Sequence, residues 1–169
     1  MFYMRLLRRL GMLLSVSIIN TVHYTRYALG VMRGDTDSHG VRLIIVDERR
    51  VLLVSHWYAP FAWTVPGGGV GKNETPEEAA LREGREETGL IINSIAGEIG
   101  TYTGKLGKAD RVTFFYTGDF TGDIAMRPNL EIMARSWFDL DSLPDDLSPG
   151  NRRRIEAYRD GIRNEVAAW

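Results

Sequence analysis

The segment 82–90 reads REGREETGL and carries three glutamates, Glu83, Glu86 and Glu87. In an α-helix these positions are i, i+3 and i+4, so the three carboxylates share one face and reach a common point. Such a cluster offers only oxygen ligands, which Mg²⁺ prefers and Mn²⁺ also accepts, whereas zinc and copper favour nitrogen and sulfur. The spacing therefore indicates a site for a hard divalent cation.

A glutamate-rich helix face can also be simply solvated, because charged faces are common on surface helices. Against this reading, like charges at these spacings repel, and acids in the last turn oppose the helix dipole by about 0.3–1 kcal/mol each. A bound cation would reverse both effects. Arg82 can pair with Glu86 at i+4 and offset part of the repulsion. These energies alone leave both readings open.

The spacing upstream of the cluster distinguishes them. Five residues separate Gly68 from Glu74, and seven separate Glu74 from Arg82. The whole pattern resembles the box of the Nudix family, G-x5-E-x7-R-E-U-x-E-E-x-G-U, in which U is a bulky aliphatic residue. Seven single-residue requirements are met, so at a background of about 7% each the chance per starting position is on the order of 10⁻⁸. The matching positions are Gly68, Glu74, Arg82, Glu83, Glu86, Glu87, Gly89 and Leu90.

Gly84 departs from the pattern because it occupies the first U position. A glycine inside a helix costs about 1 kcal/mol relative to alanine and supplies no packing. We expect either that the helix approaches its sheet closely there or that a neighbouring side chain fills the gap. The resemblance otherwise extends over about residues 40–145, through segments 51–54, 63–68, 137–140 and 143–144.

The resemblance implies a hydrolase that cleaves a phosphoanhydride bond in a nucleoside diphosphate derivative or a nucleoside triphosphate. It implies that Glu83, Glu86 and Glu87, with the backbone carbonyl of Gly68, hold Mg²⁺, with Mn²⁺ as the alternative ion. A small nucleotide-type molecule would be the substrate. A non-catalytic Nudix domain that senses a nucleotide is the alternative, but a sensor would be expected to have lost one or more box acids.

The resemblance also suggests roles in catalysis. Glu83 is the first candidate for the general base, and Glu131, in the segment 129–132 before a strand, is the second; an exposed loop acid is the competing reading for Glu131. Arg82 is expected to orient the carboxylates by charge-assisted hydrogen bonds. Glu74 is expected to bind near the helix start and fix the loop.

The elements that must position these residues can be read from local patterns. Segments 41–46 and 51–55 are β-branched and aliphatic, and the charged turn 47–50 predicts a hairpin whose strands are buried on both faces. Segment 63–65 is predicted to be a short strand, followed by a loop at Pro66 and the glycine triplet 67–69.

The helix that carries the glutamates has clear ends. Thr75 is its predicted cap, Pro76 its first residue, Glu78 the partner in a capping box and Gly89 its stop. Further strands are predicted at 111–117 and 134–138, and a last helix from 148 towards 161. We therefore predict the α/β class, as a Nudix-type α/β/α sandwich with a mixed β-sheet in residues 36–169.

Residues 1–35 are predicted to form an N-terminal helical arm. Arg5, Arg8 and Arg9 precede an apolar run, 11–19, that is far shorter than the roughly twenty residues needed to span a bilayer. Leucines at helical spacing favour docking on the domain or on a second subunit, as in a homodimer, over peripheral contact with a membrane.

Composition sets further limits. The chain has 21 basic and 22 acidic residues, a formal net charge of −1, so duplex DNA binding is not expected. No cysteine is present, which rules out disulfides and thiolate zinc sites and is compatible with the cytoplasmic location that we expect.

The substrate is left open by the sequence. Residues 104–107 are GKLG, so the proline or tyrosine that marks some Nudix subgroups about fifteen residues after the box is missing. A damage-sanitising triphosphatase, an ADP-ribose type pyrophosphatase and a cap-like or sugar-nucleotide hydrolase all remain. His56, Trp57, Tyr58 and Phe61 could stack a base, but core or rim packing is favoured for them.

Overall fold

The computed structural model describes residues 38–60, 62–103, 110–125 and 130–168. Its elements, in chain order, are β1 Ser38–Asp47, β2 Arg50–His56, α1 Pro76–Thr88, β3 Ile91–Ile92, β4 Gly97–Thr103, β5 Asp110–Thr117, β6 Phe120–Thr121, β7 Ile132–Asp139, α2 Pro149–Arg159 and β8 Glu165–Ala168.

The predicted N-terminal arm, 1–35, and Phe61 lie outside the described residues. The docking of the arm, its membrane contact and a homodimer built on it therefore stay predictions. In the part of the chain that the structure describes, neither helix has the length and apolar character needed to cross a membrane.

Six strands form one mixed sheet in the order β7-β2-β1-β5-β4-β8, and β3 pairs with β6 in a separate ribbon. The pairs β1–β5 and β4–β8 are parallel, while β1–β2, β2–β7 and β4–β5 are antiparallel. The predicted hairpin is confirmed by the pairs Val46↔Val51 and Asp47↔Arg50. At its tight turn, Glu48 adopts a positive φ of 54°.

The two faces of the sheet bury different side chains, because successive residues of a strand point in opposite directions. Leu43 and Ile45 pack in a cluster with residues of α1, including Ala79. Ile44 packs in a second cluster with Ile155 of α2. Among the described residues, the sheet thus has a helix on each face, which confirms the α/β/α sandwich and the predicted burial of β1 and β2 on both sides.

The prediction of a strand at 63–65 is wrong. Thr64 exchanges backbone hydrogen bonds with Val54 at 2.9 and 3.0 Å, but its neighbour Trp63 bonds instead to Asp146 and Ser148. The segment therefore makes only isolated bridges to two different partners. Pro66, which lacks an N–H, follows directly and prevents the ladder from continuing.

The predicted ends of α1 are confirmed. The Thr75 hydroxyl accepts a hydrogen bond from the Glu78 N–H at 3.2 Å, and the Glu78 carboxylate accepts one from the Thr75 N–H at 2.8 Å. Gly89 adopts a left-handed φ of 82° and donates its N–H to the Arg85 carbonyl at 2.9 Å. The last predicted helix is also present, as α2. The acids of α1 are thus held in a register that local sequence determines.

The unusual glycine of α1 marks a close approach to the sheet. A Cβ atom on Gly84 would lie 2.6 Å from Ile92 Cδ1 and 2.9 Å from Leu43 Cδ2. Both alternatives posed by the sequence therefore apply: the helix lies close to β1, and two aliphatic side chains occupy the space that a larger residue would need. Gly84 consequently belongs to helix–sheet packing.

We predict that Gly84→Leu lowers the free energy of unfolding by about 2 kcal/mol, because overpacking a dense core outweighs the gain of about 1 kcal/mol in helix propensity. Truncating Ile92 should make room for the new side chain. In a double-mutant cycle by urea denaturation, Gly84→Leu with Ile92→Ala should cost at least about 1 kcal/mol less than the two single changes summed. Strict additivity would mean that Ile92 does not fill the space beside Gly84.

Candidate active site

Arg82 joins the acids of the box to one another. Its Nε and Nη2 bind the two oxygens of Glu74 at 2.8 and 3.0 Å, and its Nη1 binds Glu83 at 2.8 Å and Glu86 at 3.3 Å. Nη2 also donates to the Gly69 carbonyl at 3.1 Å. The hydrogen bonds to Glu74 and Glu83 raise the pKa of the guanidinium, so it stays charged. These contacts agree with the orienting role expected of Arg82.

Glu74 connects this network to the loop before the helix. Its carboxylate accepts the Gly71 N–H at 2.8 Å in addition to the two bonds from Arg82. The bond from Arg82, and then that from Gly71, hold the pKa of Glu74 below its ordinary value. An ionised Glu74 thus fixes the loop near the helix start, as the sequence predicts.

Glu83 lies against the glycine loop and is largely withdrawn from water. A Cβ atom on Gly68 would be only 2.3 Å from Glu83 Oε1, so any larger residue would displace the carboxylate. Burial raises the pKa of Glu83, and the neighbouring charges of Glu87 and Glu86 act in the same direction, while Arg82 opposes them. The positive charge of Arg82 therefore does not fully offset the cost of burying an ionised Glu83, and a bound cation would supply the missing charge.

The carbonyl of Gly68, the predicted backbone ligand, accepts the Val41 N–H of β1 at 2.8 Å. One lone pair of this oxygen is therefore used, and the other is left for a cation. The preceding Gly67 has a φ of 148°, and a Cβ atom there would lie 2.1 Å from the Val41 carbonyl oxygen. Glycine at 67 and 68 is thus required by close contact with β1 on one side and Glu83 on the other.

Glu87 is buried, with 3% of its surface exposed. Its Oε1 lies 3.0 Å from His56 Nε2, and its Oε2 accepts the Gly67 N–H at 2.9 Å. Arg135 of β7 donates a hydrogen bond to the backbone carbonyl of Glu87. The positive guanidinium thus lies at the C-terminal end of α1, where the helix dipole is negative. Burial lowers the pKa of Arg135, while the nearby Glu87 charge favours its protonated form.

His56, Gly67 and Arg135 are the partners of Glu87 that sequence reasoning missed. The sequence marks His56 only as a polar residue at the end of an apolar strand, and core or rim packing is favoured for it and its aromatic neighbours. The structure buries His56 but leaves Trp57 52% and Tyr58 38% exposed. A contact between residues 31 positions apart, such as His56 with Glu87, has no local pattern that would reveal it.

The structure divides the predicted site residues into two groups. Glu83 and Glu86 turn towards Arg82, whereas Glu87 turns towards His56 and Gly67. Within the described residues, potential ligand atoms of His56, Glu87 and the exposed Glu131 lie within 4.8 Å of one another. The three box carboxylates are not gathered at a single point in this arrangement, although they share one helix face.

The set of donors nevertheless fits a hard divalent cation. Three carboxylates and a carbonyl provide oxygen ligands, and the imidazole of His56 is engaged by Glu87. The 61% exposed side chain of Glu86 gives water and phosphate access to this edge of the helix. The arrangement can therefore hold Mg²⁺ or Mn²⁺ beside an anionic substrate.

Comparisons with known proteins give matches over the part of the chain that contains this site. A family model described as NUDIX domain matches residues 38–158. Over 128 residues the chain is 32% identical to a putative 8-oxo-dGTP diphosphatase of Bacillus subtilis (strain 168), covering 75% of this chain and 83% of that protein.

Solved structures give the same result. A MutT NUDIX hydrolase from Burkholderia pseudomallei superposes with a TM-score of 0.62 at 27% identity, covering 72% of this chain and 97% of that one. A UDP-X diphosphatase superposes with a TM-score of 0.61 at 25% identity, covering 78% of this chain and 66% of that one.

We predict that Glu83→Gln leaves the metal-free protein at least as thermostable as the wild type at neutral pH. Burial disfavours the ionised carboxylate, so its contribution to stability declines as the pH rises from the ordinary carboxyl pKa through the raised pKa of Glu83. The advantage of glutamine should accordingly disappear in acid, where both side chains are neutral.

Thermal melts in EDTA and in Mg²⁺ check this. Mg²⁺ should raise the melting temperature of the wild type, and of Glu77→Gln on the exposed first turn of α1, more than that of Glu83→Gln. An equal response of all three proteins would show that Glu83 does not contribute to cation binding.

Proposed function

Because this chain belongs to the Nudix family of hydrolases, we propose that it is a Mg²⁺-dependent pyrophosphohydrolase that cleaves a diphosphate bond in a nucleotide. The observation that carries the proposal is the network in which Arg82 holds Glu74, Glu83 and Glu86 beside the glycine loop. Within this network the partly buried Glu83 carboxylate has too little compensating positive charge, and a cation would supply it. An intact set of box acids favours hydrolysis over nucleotide sensing.

Glu83, Glu86 and Glu87, with the carbonyl of Gly68, are the residues that would hold Mg²⁺. When bound, Mg²⁺ neutralises phosphate oxygens and lowers the pKa of a coordinated water. The protein's own contribution is orientation. Arg82 restrains Glu83 and Glu86, while the N–H of Gly67 restrains Glu87, so the carboxylates are kept on the helix face beside the glycine loop.

One carboxylate must accept the proton of the attacking water as the new P–O bond forms and the bridging P–O bond breaks. Glu83 remains the first candidate, because its carboxylate lies against the glycine loop, oriented by Arg82, among the residues that would hold the cation. Glu131 is the second candidate: its side chain is exposed and reaches the neighbourhood of Glu87. Single-turnover hydrolysis by Glu131→Gln distinguishes them: a large loss of rate assigns the base to Glu131, and a near-normal rate leaves Glu83.

The substrate we propose is a nucleoside triphosphate or a nucleoside diphosphate derivative. The names of two similar proteins, an 8-oxo-dGTP diphosphatase and a UDP-X diphosphatase, specify nucleotides of these two kinds. Trp57 and Tyr58 expose aromatic surface next to His56, where a base could stack. Such metabolites occur in the cytoplasm, which is the location that we propose.

A substrate panel tests this proposal. The protein is incubated with 8-oxo-dGTP, ordinary nucleoside triphosphates, ADP-ribose, UDP-sugars and dinucleoside polyphosphates, with Mg²⁺ or with EDTA, and phosphorylated products are identified. Hydrolysis of at least one nucleotide in Mg²⁺, and none in EDTA, is expected. Silence across the panel would instead support the sensor.

We predict that Glu86→Gln lowers turnover about 10²-fold or more, equivalent to about 2.7 kcal/mol of transition-state stabilisation, while the fold is retained because this side chain is mostly exposed. Glu87→Gln should lower turnover similarly and also destabilise the protein, because an amide cannot accept hydrogen bonds at both positions.

Steady-state kinetics and thermal melts check both variants. Glu77→Gln, an exposed acid of the same helix, is the matched control and should keep wild-type turnover. If Glu86→Gln and Glu87→Gln both keep near-normal turnover, the assignment of the box acids is wrong.

A further inference from the structure

Glu87 is the most deeply buried of the three box acids, and its contact with His56 is not part of the box pattern. We propose that His56 is a positioning residue for the hydrolytic reaction, which holds the Glu87 carboxylate in the orientation needed to bind the divalent cation. The inference rests on the proposed metal-binding role of Glu87. His56 would act through Glu87, without touching substrate.

The first support is the direction of the hydrogen bond. A carboxylate that binds a cation is ionised and can only accept hydrogen bonds, so the proposed role requires the hydrogen between the two groups to be on His56 Nε2. At 3.0 Å, this donor complements the Gly67 N–H, which binds the other oxygen of Glu87 at 2.9 Å. With one donor on each oxygen, rotation of the carboxylate about its last bond would break both hydrogen bonds. Its remaining lone pairs therefore have fixed directions.

The second support is burial. Both side chains are nearly inaccessible, with relative exposures of 6% for His56 and 4% for Glu87. Water can therefore not easily replace the imidazole N–H if it is removed, and an ionised Glu87 would be left with one unsatisfied oxygen. A buried carboxylate in that condition turns towards another donor. Such a rotation would move it out of the set of cation ligands.

The third support is the way His56 itself is fixed. The pairing of β2 with β7 shifts register between Ser55 and His56, which directs the strand end away from the regular ladder. The next residue, Trp57, donates its N–H to the Glu131 carbonyl at 3.1 Å, and the Tyr58 ring lies 4.8 Å from the imidazole. A rigid imidazole of this kind can transmit its position to Glu87.

Substitution of groups that orient metal ligands typically lowers metal affinity or activity by 10–100-fold. His56→Leu removes the donor, whereas His56→Gln places an amide N–H near the position of Nε2. We therefore expect His56→Leu to lower kcat and Mn²⁺ affinity at least about 10-fold, with KM for the nucleotide changed far less, and His56→Gln to recover most of both.

The readouts are Mn²⁺ binding, measured by EPR on the full-length protein without substrate, and steady-state hydrolysis of the best nucleotide from the panel. Asn151→Leu is the matched control, because it also removes a buried hydrogen bond, from Asn151 to Thr64, but in the helix on the opposite face of the sheet. It should lower the melting temperature and leave Mn²⁺ affinity unchanged. His56→Asn, whose amide is too short to reach Glu87, replaces His56→Leu if the latter does not fold.

Several results would overturn the inference. If His56→Leu keeps wild-type Mn²⁺ affinity and merely melts earlier, as Asn151→Leu should, then His56 has a structural role alone. If His56→Gln is as defective as His56→Leu, donation to Glu87 is not what the imidazole provides. A wild-type protein that neither binds Mn²⁺ nor hydrolyses any nucleotide would instead contradict the proposed function, so the two failures can be told apart.

Discussion

The carboxylates of Glu83 and Glu87 lie between a helix and a glycine turn, where little water reaches them. Removing an ionised group from water is costly unless other charges and hydrogen bonds compensate for it. Arg82 compensates Glu83 in part, and His56 with the Gly67 N–H compensates Glu87. Much of the surrounding structure can be understood as the means of bringing these partners to the helix.

The glycines follow from the same constraint. Gly68 leaves room for the Glu83 carboxylate, and Gly67 allows the turn to approach β1 while its N–H faces Glu87. Gly84 lets the helix lie close to Leu43 and Ile92, which keeps the acids near that turn. A helix held further from the sheet would carry the same acids, but it could not place them against the glycine loop.

The sequence predicts those parts of the fold whose causes are local. The capping box at Thr75 and Glu78, the stop at Gly89 and the tight hairpin between β1 and β2 involve residues close in the chain, and all are present. The strand prediction for segment 63–65 is wrong because its backbone bonds to two different segments, at residue 54 and at residues 146–148. Strand β4 contains two glycines, and β8 has four residues, so neither is recognisable without its parallel partner.

The candidate site likewise has a part that the sequence predicts and a part that depends on residues distant in the chain. The box acids and Arg82 can be recognised from spacing, because they lie on one helix and the loop before it. The links from Glu87 to His56 and Arg135 join three elements that are adjacent only in the folded sheet, so spacing could not reveal them.

The binding of a divalent cation by the carboxylate face of α1 can be tested with a crystal of the protein grown with Mn²⁺ and measured near the manganese absorption edge. We expect an anomalous peak about 2.2 Å from carboxylate oxygens of Glu83, Glu86 or Glu87, with Glu83 drawn partly away from Arg82. A peak elsewhere on the protein, with the Arg82 network unchanged and this face of the helix occupied only by water, would contradict it.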